Sequence, residues 1–545
     1  MPIHLLVVTV IMIACIICNK VSCKLGIPML LAFILLGMIF GSDGIMKIPF
    51  DNYVDAEKIC SIALIFIMFY GGFGTKWSEA RTVAGKAILL STLGVFMTAL
   101  LTGFFCYYVL KISLLESLLI GSVISSTDAA SVFAILRSKR LNLKYNTASL
   151  LEVESGSNDP TSYMLTVIIL ALMQGQASVP QFLYMMFAQI VYGVAFGLVI
   201  AFIASFIMTH FHFTTPGFDA IFVVTVALLA YAVPAIFMGN GYLSTYIVGI
   251  ILGNRPLKNK ESLVHFFDGM TGLLQMLIFF LLGLLSFPSK LIYVIPMALA
   301  IALFMTLIAR PLTISLFLTE YRLLRRKKSQ EKKTTKINQI ALVSLAGLRG
   351  ASSIVFAIMV TTSNAVVKND IFHIVFCIVL FSILVQGSLL PIAAHKWNMI
   401  DDRVDVFKTF NDYVEEVPVQ FIQFTMNSTH PWCNRPIREV LLPPDTLFVL
   451  LQRNNINIVP NGETIIQESD VLVLSAKVLD GAEGMKLSEI IIHKDHDWIT
   501  KQICELPLSN DKLIIMIQRS EELIIPNGST RVAEGDILVI SEIDT

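Results

Sequence analysis

Basic residues in the first 397 positions are sorted by side. Long apolar runs alternate with polar loops, and 20 Lys and Arg fall in every second loop against five in the others. Such a bias belongs to a chain that crosses a bilayer many times, because cytoplasmic loops keep an excess of Lys and Arg. A spanning backbone must satisfy its own hydrogen bonds, which predicts an all-α polytopic membrane domain.

Composition agrees. With 55% hydrophobic and only 15% charged residues, and a mean hydropathy of +0.74, the chain is too apolar for a soluble globular protein. The zero net charge conceals a split: residues 1–397 hold 28 Lys and Arg against 16 Asp and Glu, whereas 398–545 hold 12 against 24. The tail is therefore expected to be an acidic, soluble domain. Most of the eight cysteines lie in apolar runs, and Cys15 and Cys18 form a CxxC in a lipid-facing context, so they are read as packing residues. The first apolar run lacks a basic leader and is followed by Lys20 and Lys24, which predicts a retained helix rather than a cleaved signal.

Apolar runs long enough to cross a hydrocarbon core of about 30 Å are predicted near 3–19, 27–41, 58–74, 86–110, 114–137, 147–173, 180–211, 218–238, 240–254, 266–287, 290–318, 338–362 and 371–395. That is thirteen spans in a domain covering 1–397. Lys76, Arg81 and Lys86, then Arg137, Lys139, Arg140 and Lys144, then Arg255, Lys258 and Lys260, and finally the run from Arg322 to Lys336 all fall on one side. They place the N-terminus outside and the tail in the cytoplasm, in a multi-pass protein of the cell membrane.

Beyond Trp397 the pattern changes to short stretches rich in Val, Ile and Leu, broken by turn signals. Trp432, Gln452, Arg453, Pro460, Asn461, Gly462, Thr464, Asp470 and Ser475 recur as Trp498, Gln518, Arg519, Pro526, Asn527, Gly528, Thr530, Asp536 and Ser541. The tail is thus a tandem duplication, an α+β unit with a linker at 398–417, a first repeat at 418–484 and a second at 485–545. Each repeat is a strand ending in Gln-Arg, a Pro-Asn-Gly turn and a further strand. Each is too short to bury much apolar surface alone, which predicts that the two pack on each other.

The membrane runs also carry ionisable groups. Asp128, Glu152, Glu154 and Asp159 lie in two adjacent spans, where a mid-membrane charge costs at least ~2.5–3.5 kcal/mol and is usually paired or faces water. The fifth span contains Gly121-Ser122-Val123-Ile124-Ser125-Ser126-Thr127-Asp128, poor in helix formers and read as an unwound stretch. In the sixth, Ser155 and Asp159 sit one turn apart, as do Glu154 and Asn158, and Pro160 predicts local opening beside the carboxylate. The twelfth contains Gly347-Leu348-Arg349-Gly350, loosened by glycine and carrying an arginine that stays charged and needs a buried anion.

Two broken segments, one in each half, with ionisable groups between them, point to an inverted-repeat secondary transporter with crossed helices. Carboxylates, hydroxyls and carbonyls suit a hard monovalent cation such as K⁺ or Na⁺, and no His or Cys cluster competes for a transition metal. Desolvation disfavours the charged form of such an Asp while a bound cation favours it, so proton and cation compete for one carboxylate. Competition at a site that crosses only when loaded or protonated gives exchange without ATP.

Ser126-Thr127-Asp128-Ala129-Ala130, Glu154-Ser155-Gly156-Ser157-Asn158-Asp159-Pro160 and Gly347-Leu348-Arg349-Gly350-Ala351 closely resemble the motifs of the bacterial monovalent cation/proton antiporters, on their electroneutral branch. The resemblance covers the whole membrane part. It implies that Asp159 is the exchange carboxylate, that Asp128, Ser155 and the Thr127 backbone bind the ion, and that Asn158, Glu154 and Arg349 form a supporting polar network. It implies also thirteen helices, a homodimer and an elevator-like movement. Some members carry an acid in the third span, where this chain has Phe69, Tyr70, Gly71 and Gly72. The tail resembles, twice over, the C-terminal subdomain of RCK/TrkA-type potassium-regulatory proteins, without their nucleotide-binding half. Members with such tails look like potassium/proton antiporters, which favours K⁺, and cyclic di-AMP is the small-molecule regulator implied. Membrane lipid and a second copy are the other partners expected; no enzymatic cofactor and no nucleic acid is.

Simpler readings stand beside these. Glu154 and Arg349 read also as a buried ion pair that holds the bundle together, and Arg349 as a neutraliser of Asp159. Glu152 reads as a rim residue, and Asp219, Asp268, Arg310 and Glu320 as interface residues near span ends. The run from Arg322 to Lys336 reads as a topology anchor, and Arg453 and Arg519 either as solvated or as anion-binding. Rival functions are a Na⁺/H⁺ antiporter for sodium and pH homeostasis, a ligand-gated potassium channel and an intramembrane hydrolase. The channel reading lacks a Thr-Val before Tyr70-Gly71-Gly72-Phe73-Gly74, and the hydrolase reading lacks GxSxG and HExxH.

Overall fold

The structure is a computed structural model that describes residues 2–25, 29–48, 50–139, 141–175, 179–211, 217–255, 257, 260–326 and 337–400 of the membrane part, and 419–426, 432–440, 446–453, 456–458, 460–477, 485–492, 498–506, 512–519, 522–524, 526, 528 and 530–543 of the tail. The chain divides into two compact units, Met1–Tyr413 and Val414–Thr545.

Among the described residues the first unit is built of helices, with short breaks and a lone bridge between Leu143 and Ile400. Its first half holds α1 (Pro2–Leu25), α2 (Met29–Phe40), α3 (Tyr53–Gly74), α4 (Trp77–Leu89), α5 (Val95–Tyr108), α6 (Leu114–Val123), α7 (Ala129–Ser138) and α8 (Thr147–Met173). The rest follows as α9 (Val179–His210), α10 (Phe218–Ile236), α11 (Gly241–Gly253), α12 (Lys260–Leu285), α13 (Pro288–Phe304), α14 (Arg310–Arg326), α15 (Ile337–Leu345), α16 (Ala351–Thr362), α17 (Ile371–Phe381) and α18 (Gly387–Lys396). Single π turns at Leu90–Gly94, Met305–Ala309 and Ser382–Gln386 join α4 to α5, α13 to α14 and α17 to α18.

Among the described residues, seven helices, counted with these joined pairs, are long and apolar enough to cross a membrane. Shorter apolar helices such as α2, whose 12 residues reach about 18 Å, bury one face in the bundle and leave Leu35 and Ile39 exposed. There glycine lets backbones touch: a side chain on Gly37 would strike the Phe280 carbonyl of α12, and one on Gly283 the Ile34 carbonyl of α2. Gly249 and Gly253 bring α11 against the Phe69 and Phe73 carbonyls of α3 in the same way.

Each apolar run read from the sequence coincides with a helix, a joined pair or a broken pair. The fifth run breaks after Val123 and resumes at Ala129; the twelfth breaks after Leu345 and resumes at Ala351. One local expectation fails, because α8 continues unbroken through Pro160. The Pro160 carbonyl accepts a hydrogen bond from Asn240 Nδ2 (2.7 Å), whose own Oδ1 caps α11 at the Leu243 N–H (3.0 Å). The contact ties α8 to the start of α11 beside the proline.

The tail is an α+β unit of strands and short 3₁₀ turns. β1 (Val419–Thr425), β2 (Thr446–Arg453), β3 (Ile456–Ile458) and β4 (Val471–Lys477) form an antiparallel sheet in the order β1-β4-β2-β3, and β5 (Met485–Ile491), β6 (Lys512–Arg519), β7 (Glu522–Ile524) and β8 (Ile537–Ile543) repeat it as β5-β8-β6-β7. The register recurs, Val419 opposite Lys477 and Met485 opposite Ile543, and so does an irregularity between Phe448 and Leu450 and between Ile514 and Met516.

The repeated residues have structural reasons to recur. Asn461 Oδ1 accepts from the Glu463 N–H (3.1 Å) and the Thr464 hydroxyl (2.9 Å), closing the Pro-Asn-Gly turn. Arg453, expected to be solvated or anion-binding, grips the fully buried Asp470 through Nε and Nη2, both at 2.7 Å, and Arg519 does the same to Asp536 at 2.8 Å. Each copy has its own apolar cluster, with Trp432 edge-on to Phe448 at 5.9 Å in the first. Among the described residues no strand of one copy pairs with the other. Each copy thus has an apolar cluster and a sheet of its own.

Candidate functional site

The two helix breaks meet. Residues 124–128 carry the chain out of α6, and their polar groups are taken up by the break between α15 and α16. The Asp128 N–H donates to the Leu348 carbonyl (2.8 Å), while Arg349 Nη1 donates to the carbonyls of Ser125 (2.9 Å) and Ser126 (2.6 Å). Arg349 is 1% exposed and lies at the negative end of the α6 half-helix, where a cation is stabilised by the unsatisfied carbonyls. Gly350 has a steric reason to lack a side chain, since a Cβ there would run into the Asp128 carboxylate; one on Gly347 would press on the Arg310 guanidinium.

The anion for a buried arginine is found elsewhere than the sequence suggests. Glu154 does not pair with Arg349 but with Arg310, Nη2 to Oε1 at 2.6 Å, the two side chains 0% and 3% exposed respectively. Their donors and acceptors are close yet not aligned as hydrogen bonds. Arg310 is thus a core residue and not an interface residue. The π turn at Met305–Ala309 immediately precedes it, adding a residue that shifts its direction off the ordinary helical face. With Arg349 engaged on backbone carbonyls, the reading of that side chain as the neutraliser of Asp159 has no hydrogen bond to support it.

Asp159 is buried on α8 and faces the crossing. Its Oδ1 accepts hydrogen bonds from the Ser126 hydroxyl of the first break and from Ser352 Oγ (3.0 Å) at the start of α16; the two hydroxyls are themselves 2.7 Å apart. One turn earlier on α8, Ser155 Oγ lies 2.7 Å from Thr127 Oγ1, which also accepts from Asn158 Nδ2. Asp128 accepts from the Ser131 hydroxyl of α7. Thr127, Asp128, Ser155 and Asp159 all line one cavity of about 410 Å³. The described residues contain no group of His, Cys, Asp and Glu arranged to hold a metal.

Of the seven residues singled out from sequence, four line this cavity. Asn158 braces it through Thr127, while Glu154 and Arg349 act one layer behind. Sequence reasoning missed Ser126 and Ser352, although Ser126 lies inside a quoted motif and Ser352 directly follows another; their signal was a run of hydroxyls at each break. It set aside Glu152 as a rim residue and Asp268 as an interface residue, yet both line the cavity, and Asp268 Oδ1 accepts from the Tyr70 hydroxyl of α3 at 3.3 Å. Asp219 does fall in the first turn of α10, half-buried. The side chains of Glu320 and of the basic run from Arg322 lie outside the described residues.

Residues 8–396 match the family model described as sodium/hydrogen exchanger, transmembrane, and residues 421–480 and 487–541 each match the TrkA-C domain. The chain is 31% identical over 460 residues to the K(+)/H(+) antiporter NhaP2 of Shewanella sp. (strain ANA-3), covering 83% of this chain and 78% of that protein. It is 30% identical over 482 residues to the K(+)/H(+) antiporter NhaP of Alkalimonas amylolytica, covering 87% and 81%. In fold it is similar to the sodium proton antiporter MjNhaP1 from Methanocaldococcus jannaschii at pH 8, with a TM-score of 0.62 at 24% identity over 72% of this chain and 99% of that one. This multi-pass membrane protein is a secondary-active monovalent cation/H⁺ antiporter with a regulatory tail, and it belongs to the sodium/hydrogen exchanger family.

Proposed function

We propose that the chain exchanges K⁺ for H⁺ at Asp159, with Asp128, Ser155 and Thr127 completing the ion site and Asn158, Glu154 and Arg349 supporting it. One observation carries the assignment: a single buried carboxylate receives two hydroxyl hydrogen bonds from the two crossing helices and opens on the cavity that Asp128, Thr127 and Ser155 also line. A cation entering that cavity meets hard oxygen ligands, and it competes with the proton for the one carboxylate. The K⁺ assignment over Na⁺ is supported by the relatives named K(+)/H(+) antiporters, which align over more than four-fifths of this chain.

The helices and broken pairs correspond to thirteen crossings, with the two crossed breaks as inverted repeats and the N-terminus outside. The protein works as a homodimer, and the two TrkA-C repeats bind a small regulator, cyclic di-AMP. The test is exchange in vesicles with K⁺, Na⁺ and Rb⁺ across pH, with and without a membrane potential. Saturable proton release driven by K⁺ in preference to Na⁺, insensitive to the potential, supports electroneutral K⁺/H⁺ exchange. Preference for Na⁺ would return the cargo to the sodium reading, and current without proton movement would replace the exchanger by a channel.

A further inference from the structure

Behind the crossing lies a chain of buried hydrogen bonds that the exchange site itself does not use. The break between α15 and α16 leaves the Arg349 N–H without a helical acceptor, and Ser382 Oγ takes it at 3.0 Å. A hydroxyl has one proton to give, and Ser382 gives it to Gln386 Oε1. That contact fixes which way the Gln386 amide faces, and its Nε2 donates to Thr306 Oγ1 at 2.7 Å. Ser382 and Gln386 are 2% and 3% exposed.

The three side chains come from two π turns, Ser382 and Gln386 from one and Thr306 from the other. A π turn adds a residue to a helix, at a cost in regularity, and is often found at functional sites. Here the two turns aim polar side chains at each other and at the break. From the break the network continues forward: the Arg349 guanidinium holds the Ser125 and Ser126 carbonyls, and the Ser126 hydroxyl donates to Asp159.

We propose that Ser382, Gln386 and Thr306 are positioning residues of the exchanger, which anchor the main chain of Arg349 so that Ser126 is held against Asp159. The inference rests on the reading of Asp159 as the exchange carboxylate. It assigns a task to the two π turns, and it makes the hold on the cation depend on residues that never touch the ion. Donation from the Ser126 hydroxyl fixes the Asp159 carboxylate at the cavity. Loosening the anchor should therefore weaken cation binding.

Other ionisable groups surround Asp159. They are Asp128 at the first break, Glu152 and Glu154 on α8, Arg310 on α14, Arg349 at the second break and Asp268 on α12; Tyr246 of α11 approaches through Gly156. The variants below leave all of them in place.

Ser382→Ala, Gln386→Leu and Ser382→Thr are compared with the full-length protein and with Asp159→Asn in vesicles, measuring K⁺-driven proton release across pH, the K⁺ KM, and thermal stability in detergent. Ser382→Ala and Gln386→Leu are expected to raise the K⁺ KM severalfold at fixed pH while the maximal rate per folded protein changes by less than about twofold. Ser382→Thr, which keeps the hydroxyl, is expected to restore the parent KM. Loss of activity in proportion to folded protein with an unmoved K⁺ KM would show a merely structural role and overturn the proposal. If Asp159→Asn abolishes exchange while the Ser382 and Gln386 profiles match the parent, the positioning role alone falls. Exchange retained in Asp159→Asn would overturn the site reading and the proposal with it.

Discussion

Glu154 offers a sharp test of how the buried charges are arranged, because sequence pairs it with Arg349 and the structure pairs it with Arg310. Both partners of the observed contact are within 3% of complete burial and 2.6 Å apart. Removing one partner of such a pair leaves the other charge buried and uncompensated, at about 3–5 kcal/mol. Replacing both by neutral residues of similar volume removes the penalty, so Arg310→Met and Glu154→Gln should each be severely destabilising, while the double variant recovers most of the loss. With two single losses of that size and a small loss in the double variant, the coupling between the two positions should exceed about 4 kcal/mol, beyond the ~0.5–3 kcal/mol usual for contacting pairs. Reversible unfolding in mixed micelles, run as a double-mutant cycle, measures it. The same cycle on Glu154→Gln and Arg349→Met should give a clearly smaller coupling, since Arg349 rests on the Ser125 and Ser126 carbonyls. A larger coupling to Arg349 than to Arg310 would refute the pairing.

Further outcomes follow from other contacts. Gly350→Ala should reduce exchange by about tenfold or more without loss of protein in the membrane, because the added methyl meets the Asp128 carboxylate; activity near the parent level would show that Asp128 can move aside freely. In the tail, burial raises the Asp470 carboxyl, but the Arg453 hydrogen bond, the Gln467 N–H and the Arg453 charge outweigh it and leave it below the usual carboxylate range, as Arg519 and the Ala533 N–H do for Asp536. Stability from these groups is complete above the unfolded value of about 3.9 and is lost as pH falls through the lower folded value. Acid titration of the tail's unfolding transition should show a loss confined to that range, and Asp470→Asn should weaken the loss. Cyclic di-AMP should raise the melting temperature of the tail by linkage, and no shift at saturating ligand would discard it as the regulator.

Much of the membrane fold is legible in the sequence because lipid imposes it. Runs of apolar residues and the hydroxyl-rich stretch before Asp128 each follow from the cost of polar groups in hydrocarbon. Pairing between helices is less legible. Arg310 reads as a span end because its neighbours in sequence are a proline and the helix leading to a basic loop, and only the preceding π turn and the packing of α14 against α15 bring it to Glu154. Asp268 likewise carries no local signal of the cavity, since its partner Tyr70 is distant in sequence. Duplication made the tail readable: Arg453 and Asp470 recur together, as the two halves of a salt bridge would, although burial and not repetition shows that the arginine is committed.

The competition at Asp159 is tested most directly by purified protein in vesicles without any gradient, adding K⁺ and recording proton release for the parent and for Asp159→Asn. The parent should release protons saturably, with the K⁺ needed for half-release rising as pH falls, while Asp159→Asn releases none although it folds and inserts normally. Proton release of equal size from the Asn variant, or a K⁺ requirement that does not change with pH, would contradict a single carboxylate shared in turn by the two ions.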